Sequence, residues 1–191
     1  MEYARFDHFS SKDGLSSNLV FSLSKDSTGF LWIGTDFGID RFDGSHFKHY
    51  RKKEYPSLHR DDIYYVSHLG NNRIVFGSFS GMFQEYDRKK DMFLELMPNE
   101  MDSLGYSQMK GICVSPSGDC YVFSNEHVFK YDAQSGCFNS RFAAYDSIHS
   151  PFITSLYVDS NNRYWLGSLN QLTIYDEYGH VLQTFDEKHH H

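Results

Sequence analysis

The chain has 191 residues, 40% apolar and 23% charged, with a net charge of −7 when His is counted neutral. That length admits one ordinary domain with a sizeable core, and the acidic balance does not suit a binder of the nucleic-acid backbone. No apolar run reaches the roughly 20 residues of a membrane span, no basic-then-apolar leader opens the chain, and the 17% of aromatics favour pleated, half-buried surfaces.

In chain order, residues 1–14 come first. Their stretch Tyr3–Phe9 reads as one strand with no partner nearby. A denser pattern starts at residue 15. An apolar run (19–24) is followed by the turn Lys25-Asp26-Ser27-Thr28-Gly29, whose residues bond the local backbone or tolerate positive φ. Then come the triplet Leu31-Trp32-Ile33, the small pair Gly34-Thr35, a run ending at Phe42-Asp43, and a fourth run (46–50). The pattern recurs at 74–87, 121–132 and 164–176, with starts 43, 47 and 43 residues apart. Each recurrence ends in an aromatic-Asp pair: Tyr86-Asp87, Tyr131-Asp132 and Tyr175-Asp176.

Four short strands in a unit of about 45 residues form the blade of a β-propeller. The fold class expected is therefore all-β: a propeller segment of about four four-stranded antiparallel blades over 1–188. The repeat units are about 15–57, 58–104, 105–148 and 149–186. Residues 1–14 are expected to form an outer strand of another blade, and 189–191 read as a tag remnant. Rings of six to eight blades need on the order of 270–360 residues, so the segment is expected to belong to a larger propeller. Its open end blades would expose apolar faces and strand edges. The chain is expected to self-associate, two copies closing a larger ring.

Two tripeptides invite a kinase reading: Asp36-Phe37-Gly38 and His59-Arg60-Asp61. Their order is the reverse of a kinase's, and the Gly-rich loop and the Val-Ala-Ile-Lys strand are missing. Within the repeat, the first is a bend between strands two and three, and the second lies between blades. Asp26 and Asp159 head turns that lack the spacing of a calcium loop and are expected to accept backbone N–H bonds. The pattern Ser24-x-Asp26-x-x-Gly29-x-x-Trp32 resembles the structural Asp-box of sialidase propellers. No Gly-x-Ser-x-Gly elbow occurs. Asp61/Asp62 and Glu85/Asp87 read as solvated or capping carboxylates. Of the cysteines, Cys113 and Cys120 flank a turn and could face each other across a hairpin, as small apolar residues or as a disulfide in an oxidising compartment. No catalytic residue, metal site or cofactor is expected.

In a propeller, the loops joining strand two to three and one blade to the next share one face. The candidate ligand-face residues are Asp36, Phe37, His59, Arg60, Ser80, Tyr106, Asn125, Asn170 and Gln171. Polar groups beside aromatics on these loops suit sugar recognition.

Residues 13–50 resemble the two-component regulator propeller repeat. Gly14-Leu15-Ser16-Ser17-Asn18, Asp26, Gly29, Leu31-Trp32-Ile33-Gly34-Thr35 and Phe42-Asp43-Gly44 carry the resemblance, and 159–168 match next best. The middle units depart from it: Phe76 and Phe123 stand where Trp is expected, and Ser124 replaces the Gly. The resemblance implies the extracytoplasmic (periplasmic) sensor of a hybrid two-component histidine kinase of Bacteroides-like bacteria. Such ectodomains carry two seven-bladed propellers and an immunoglobulin-like domain, ahead of a membrane span and a cytoplasmic kinase. Their ligands are often oligosaccharides. The alternatives are a protein-interaction propeller and a fragment of a propeller glycosidase or lyase.

Overall fold

The structure is a computed structural model, and it describes residues 6–69, 73–78, 80–96, 109–139 and 152–186. Among these residues, sixteen strands form four antiparallel four-stranded sheets, each a simple meander in chain order. Blade 1 holds β1 (Val20–Lys25), β2 (Leu31–Thr35), β3 (Gly38–Phe42) and β4 (Phe47–Tyr50). Blade 2 holds β5 (Ile63–His68), β6 (Ile74–Ser78), β7 (Phe83–Asp87) and β8 (Met92–Glu95). Blade 3 holds β9 (Gly111–Val114), β10 (Cys120–Phe123), β11 (Val128–Asp132) and β12 (Cys137–Asn139). Blade 4 holds β13 (Ser155–Val158), β14 (Tyr164–Gly167), β15 (Gln171–Tyr175) and β16 (Val181–Asp186). The first strands of successive blades lie side by side, β1 on β5, β5 on β9 and β9 on β13, as inner strands around a propeller axis do.

The apolar core lies between blades. Alternation along each strand sends one set of side chains forward, to the next blade, and the other backward. Between blades 1 and 2, Trp32, Ile39 and Tyr50 of blade 1 meet Val66, Ile74, Phe76, Tyr86 and Phe93 of blade 2, with Leu58 from the connection. Trp32 is fully buried, with ring centroids 5.5 Å from those of Tyr50, Phe76 and Tyr86. Burying a ring of that size removes ~150–250 Å² from water, an upper figure of roughly 4–6 kcal/mol. A second cluster joins blade 2 to blade 3 through Val75, Phe83, Cys120, Val122 and Phe138. A third joins blade 3 to blade 4 through Tyr121, Val128, Leu156, Tyr164 and Leu166.

The small residue after each triplet has a steric cause. A Cβ on Gly34 would lie 2.6 Å from the Ile63 carbonyl of the next blade. Blade 3 reverses the arrangement. Register puts Phe123, not Ser124, at the glycine position, facing Gly111 on β9. A Cβ on Gly111 would meet the Phe123 ring at 2.7 Å, so the small residue has moved to the partner strand. The same register assigns the Trp32 position to Val75 and Tyr121 in the middle blades, which corrects the sequence alignment at Phe76 and Phe123.

One further expectation, that Cys113 and Cys120 face each other, is corrected. Cys113 pairs with Tyr121 and Cys120 with Val114, an offset of one residue. With a side-chain period of two, Cys113 points forward into the blade 3–4 core and Cys120 backward into the blade 2–3 core. Both thiols are free, and burial pushes both up from the ordinary thiol range. Of residues 1–14, the described part, 6–14, forms no strand; Ser11–Asp13 is a single 3-10 turn capped by Ser10. Residues 1–5 of the expected outer strand of another blade lie outside the described residues. The described part lies on the backward face of blade 1. Phe9 stands edge-on to Phe42 and Phe47, at 5.0 and 6.0 Å. Ser16 donates its backbone N–H to buried Asp40 at 2.6 Å. The connection between blades 1 and 2 makes the same contacts one blade on. Tyr55 meets Phe93 at 6.0 Å, and the His59 N–H donates to Gln84 at 2.8 Å.

Asp26 and Asp159 head their turns as expected. Asp26 Oδ1 accepts the N–H groups of Thr28 and Phe30 (2.9 and 3.1 Å) and the Thr28 hydroxyl. Its Oδ2 accepts the Trp32 indole at 2.7 Å and the guanidinium of Arg88 from blade 2. Asp159 repeats this with Asn161, Arg163 and Trp165, its Arg coming from its own turn at 2.7 Å.

Candidate functional site

The two-residue loop after β2 is fixed before any ligand arrives. Gly38 has φ 114°, and a Cβ there would lie 2.5 Å from the Tyr50 carbonyl, so only glycine fits. The Thr35 hydroxyl donates to the Gly38 carbonyl at 2.9 Å and accepts the Phe37 N–H at 3.0 Å. The Gly38 N–H donates to the Asp61 carbonyl at 2.7 Å. That bond ties the loop carrying Asp36 and Phe37 to the connection carrying His59 and Arg60.

The connection is braced in turn. The Lys52 N–H donates to Asp61 Oδ1 at 2.7 Å, and Lys52 Nζ donates to the His59 carbonyl at 3.0 Å. Buried Gln84 accepts the His59 N–H and donates to the Ser57 carbonyl at 2.7 Å. Arg60 pairs with Asp62 at 2.6 Å, and this bond holds the guanidinium more firmly in its charged form.

Between loop and connection lies an open depression of about 420 Å³, lined by Asp36, Lys52, His59, Arg60, Asp61 and Asp62. Phe37, next to Asp36, is exposed, and the Arg51 guanidinium sits 4.7 Å from its ring centroid. Three carboxylates and three basic side chains line the wall. Asp36 has no hydrogen bond or ion pair among the described residues, and Lys52 Nζ meets a carbonyl rather than a carboxylate. The wall thus offers free acceptors and donors together, which suits a ligand rich in hydroxyl groups.

The candidates divide accordingly. Asp36, His59 and Arg60 line the depression, and Phe37 stands beside it. Ser80, Asn125 and Asn170 lie in the corresponding loops of blades 2, 3 and 4, and Gln171 opens β15, all away from it. There Ser80 meets the Ser78 hydroxyl at 2.9 Å, and the Asn125 carbonyl accepts the Ile153 N–H at 2.7 Å. Tyr106 lies outside the described residues. Sequence reasoning missed Lys52 and read Asp61 and Asp62 only as solvated or capping; the run Arg51-Lys52-Lys53 beside two candidates was the available signal.

Ser16, Asp40 and His49 also converge. The Ser16 hydroxyl donates to Asp40 at 2.5 Å, and His49 Nδ1 lies 2.7 Å from Asp40 and 3.0 Å from Ser16. One ring nitrogen faces both partners. A nucleophile relay needs the two nitrogens to face different partners, so this cluster holds the segment down rather than activating Ser16. Among the described residues, no group of His, Cys, Asp and Glu is arranged to hold a metal ion. No helix there is long and apolar enough to cross a membrane.

Comparison with known proteins accords with this architecture. Residues 14–37 and 147–170, in the first and fourth units, match the family described as two component regulator propeller. Over 46 residues, 24% of the chain, it is 46% identical to Histidine kinase P4 of Formosa agariphila, spanning 3% of that protein. The extracellular domain assigned to the hybrid two component system BT3049 of B. thetaiotaomicron is similar at 18% identity and TM-score 0.71, over 91% of this chain and 22% of that one. The extracellular domain assigned to the one component system BT4673 of the same organism gives 18% identity and TM-score 0.67, over 90% of this chain and 25% of that one. Virginiamycin B lyase of Staphylococcus aureus gives 16% identity and TM-score 0.63, over 87% of this chain and 55% of the enzyme. At these identities the structural likeness speaks for the propeller fold, which sensors and enzymes share.

Proposed function

We propose that this chain is a ligand-sensing segment of the extracytoplasmic, periplasmic sensor of a two-component signal transduction regulator, and that its ligand is an oligosaccharide. The observation that carries the reading is the depression where Asp36, Lys52, His59 and Arg60 meet beside exposed Phe37. It lies within and just beyond a unit that matches the regulator propeller repeat. An aromatic face next to a free carboxylate and an ammonium with N–H groups to spare can stack on the apolar face of a sugar ring while bonding its hydroxyls. The segment itself is read as non-enzymatic, because the Ser16–Asp40–His49 cluster lacks relay geometry. In the longer parent, binding at the junction of blades 1 and 2 would bias their packing, and the change would pass to the domains that follow.

Calorimetry of the chain against neutral and acidic oligosaccharides tests the reading. Binding by at least one class is expected, weakened about tenfold or more by Phe37→Ala or Lys52→Ala. Binding that neither substitution alters, or no binding to any sugar, refutes it.

A further inference from the structure

Register gives Asp40 on β3 and Gln84 on β7 the same place in blades 1 and 2. Both are buried, and each holds the segment leading into the first strand of its own blade. Gln84 does this with a neutral amide, so anchoring a segment needs no charge. Asp40 brings a carboxylate into the same place, where a charge must be met by donors and cations. His49 Nδ1 meets it at 2.7 Å, and the Ser16 hydroxyl donates to it at 2.5 Å. That hydroxyl has given its one proton to Asp40, so it accepts from Arg51, whose Nη2 lies 3.2 Å away.

Arg51 carries this chain of contacts on to the ligand site. Its guanidinium carbon lies 4.7 Å from the Phe37 ring centroid and backs that ring, which is still 54% exposed. The side chain passes close to Gly38, with Cγ 3.1 Å from where a Cβ would stand. Its Nε is buried and has no hydrogen-bond partner among the described residues. A buried donor left unmet is costly, so the contacts to Ser16 and Phe37 are what keep the guanidinium in place.

We propose that Arg51 is the positioning residue of the ligand site. It holds the Phe37 ring ready for a sugar and, through Ser16 and Asp40, ties that readiness to the seating of the segment leading into β1. The role rests on the reading of Phe37 as the aromatic wall of the site; the tie itself stands on contacts within the chain. Release of the segment removes the anchor of Arg51 and frees Phe37. A ligand stacked on Phe37 tightens the segment in return, because coupling between two sites is reciprocal.

Amide hydrogen exchange followed by NMR tests the tie without a ligand. The Ser16 N–H reports the segment through its bond to Asp40, and the Phe37 N–H reports the loop through its bond to the Thr35 hydroxyl. Ser16→Ala keeps the backbone bond and removes the hydroxyl that Arg51 meets; it is expected to speed exchange at Phe37 about tenfold. Phe37→Ala is expected to speed exchange at Ser16 in turn. Arg51→Lys keeps the charge but not the planar fork that spans both partners, and is expected to speed both. A role in charge balance alone would leave both at the wild-type rate. The Trp32 N–H, inside β2, is expected to exchange at the wild-type rate in all three variants, which separates loss of the tie from general loosening. In calorimetry, Arg51→Lys is expected to weaken an oligosaccharide bound by the wild-type chain about as much as Phe37→Ala does. The proposal is overturned if Ser16→Ala leaves Phe37 unchanged, if Phe37→Ala leaves Ser16 unchanged, or if Arg51→Lys leaves sugar binding unaltered. A wild-type chain that binds no sugar overturns the ligand reading instead, and the exchange rates still decide whether Arg51 ties loop to segment.

Discussion

Replacing Asp26 by Asn removes one charge and reverses one hydrogen-bonding group where five donors converge. If the amide oxygen takes the place of Oδ1, the amide nitrogen faces the Trp32 indole N–H and the Arg88 guanidinium, both donors. Trp32 is fully buried and cannot turn to water, while Arg88 is 28% exposed but already has a buried Nε without a partner. Losing the acceptor for a buried indole costs about 1–3 kcal/mol, and for a partly buried guanidinium somewhat more. The expected loss is about 3–4 kcal/mol. Asp159→Asn is the internal control: Arg163 is 40% exposed and Trp165 half-buried, so water takes over and about 1 kcal/mol is expected. Urea unfolding at neutral pH, followed by far-UV circular dichroism, gives both values from the midpoints at constant m. The acid limb gives a second reading. Burial pulls the Asp26 carboxyl up, but bonds from Trp32, Thr28 and Arg88 outweigh it and hold the group at about 2, below the ordinary 3.8. A lowered folded value means a contribution of roughly 2 kcal/mol that is complete above pH 4 and lost as pH falls through 2. Asp26→Asn should flatten that limb. A cost within about 1 kcal/mol of wild type, or equal to that of Asp159→Asn, refutes the account of a dry Asp–Trp–Arg junction.

Other consequences can be checked with less effort. Gly34→Val is expected to abolish cooperative unfolding, since its Cβ would lie 2.6 Å from a carbonyl oxygen of the next blade. Gln84→Ala strands the Ser57 carbonyl and the His59 N–H and is expected to cost about 2–3 kcal/mol by chemical denaturation. Lys52→Ala, at an exposed site, is expected within about 0.5 kcal/mol of wild type while weakening ligand binding. Cys113 and Cys120 are expected to resist a thiol reagent until the chain unfolds, and peptide mass mapping after mild oxidation should find no link between them.

The repeat was legible because its strongest marks are local: an apolar triplet, a small pair and an aromatic-Asp set the strands and their turns without any knowledge of neighbours. The errors arose where register decides. Cys113 and Cys120 are symmetric about a turn in sequence, yet an offset of one residue sends them to opposite cores. Phe123 looked like a substituted Trp, yet pairing shows a large residue and a glycine exchanged between strands. Of the site, Asp36, His59 and Arg60 could be named because propeller loops share a face. Lys52 could not, because its place depends on how the connection folds back onto Asp61.

That the three apolar clusters among the described residues lie at the junctions, and none within a blade, bears on how the chain comes apart. Each middle blade owns half of two cores, each end blade half of one, and no blade owns a whole one. Deleting a middle blade therefore empties two clusters at once, whereas a single cut in the chain between two blades leaves both halves of their core in place. Stability should then follow nearest-neighbour couplings, as in a linear array of spins, with loss of order entering at the end blades and advancing inward one junction at a time.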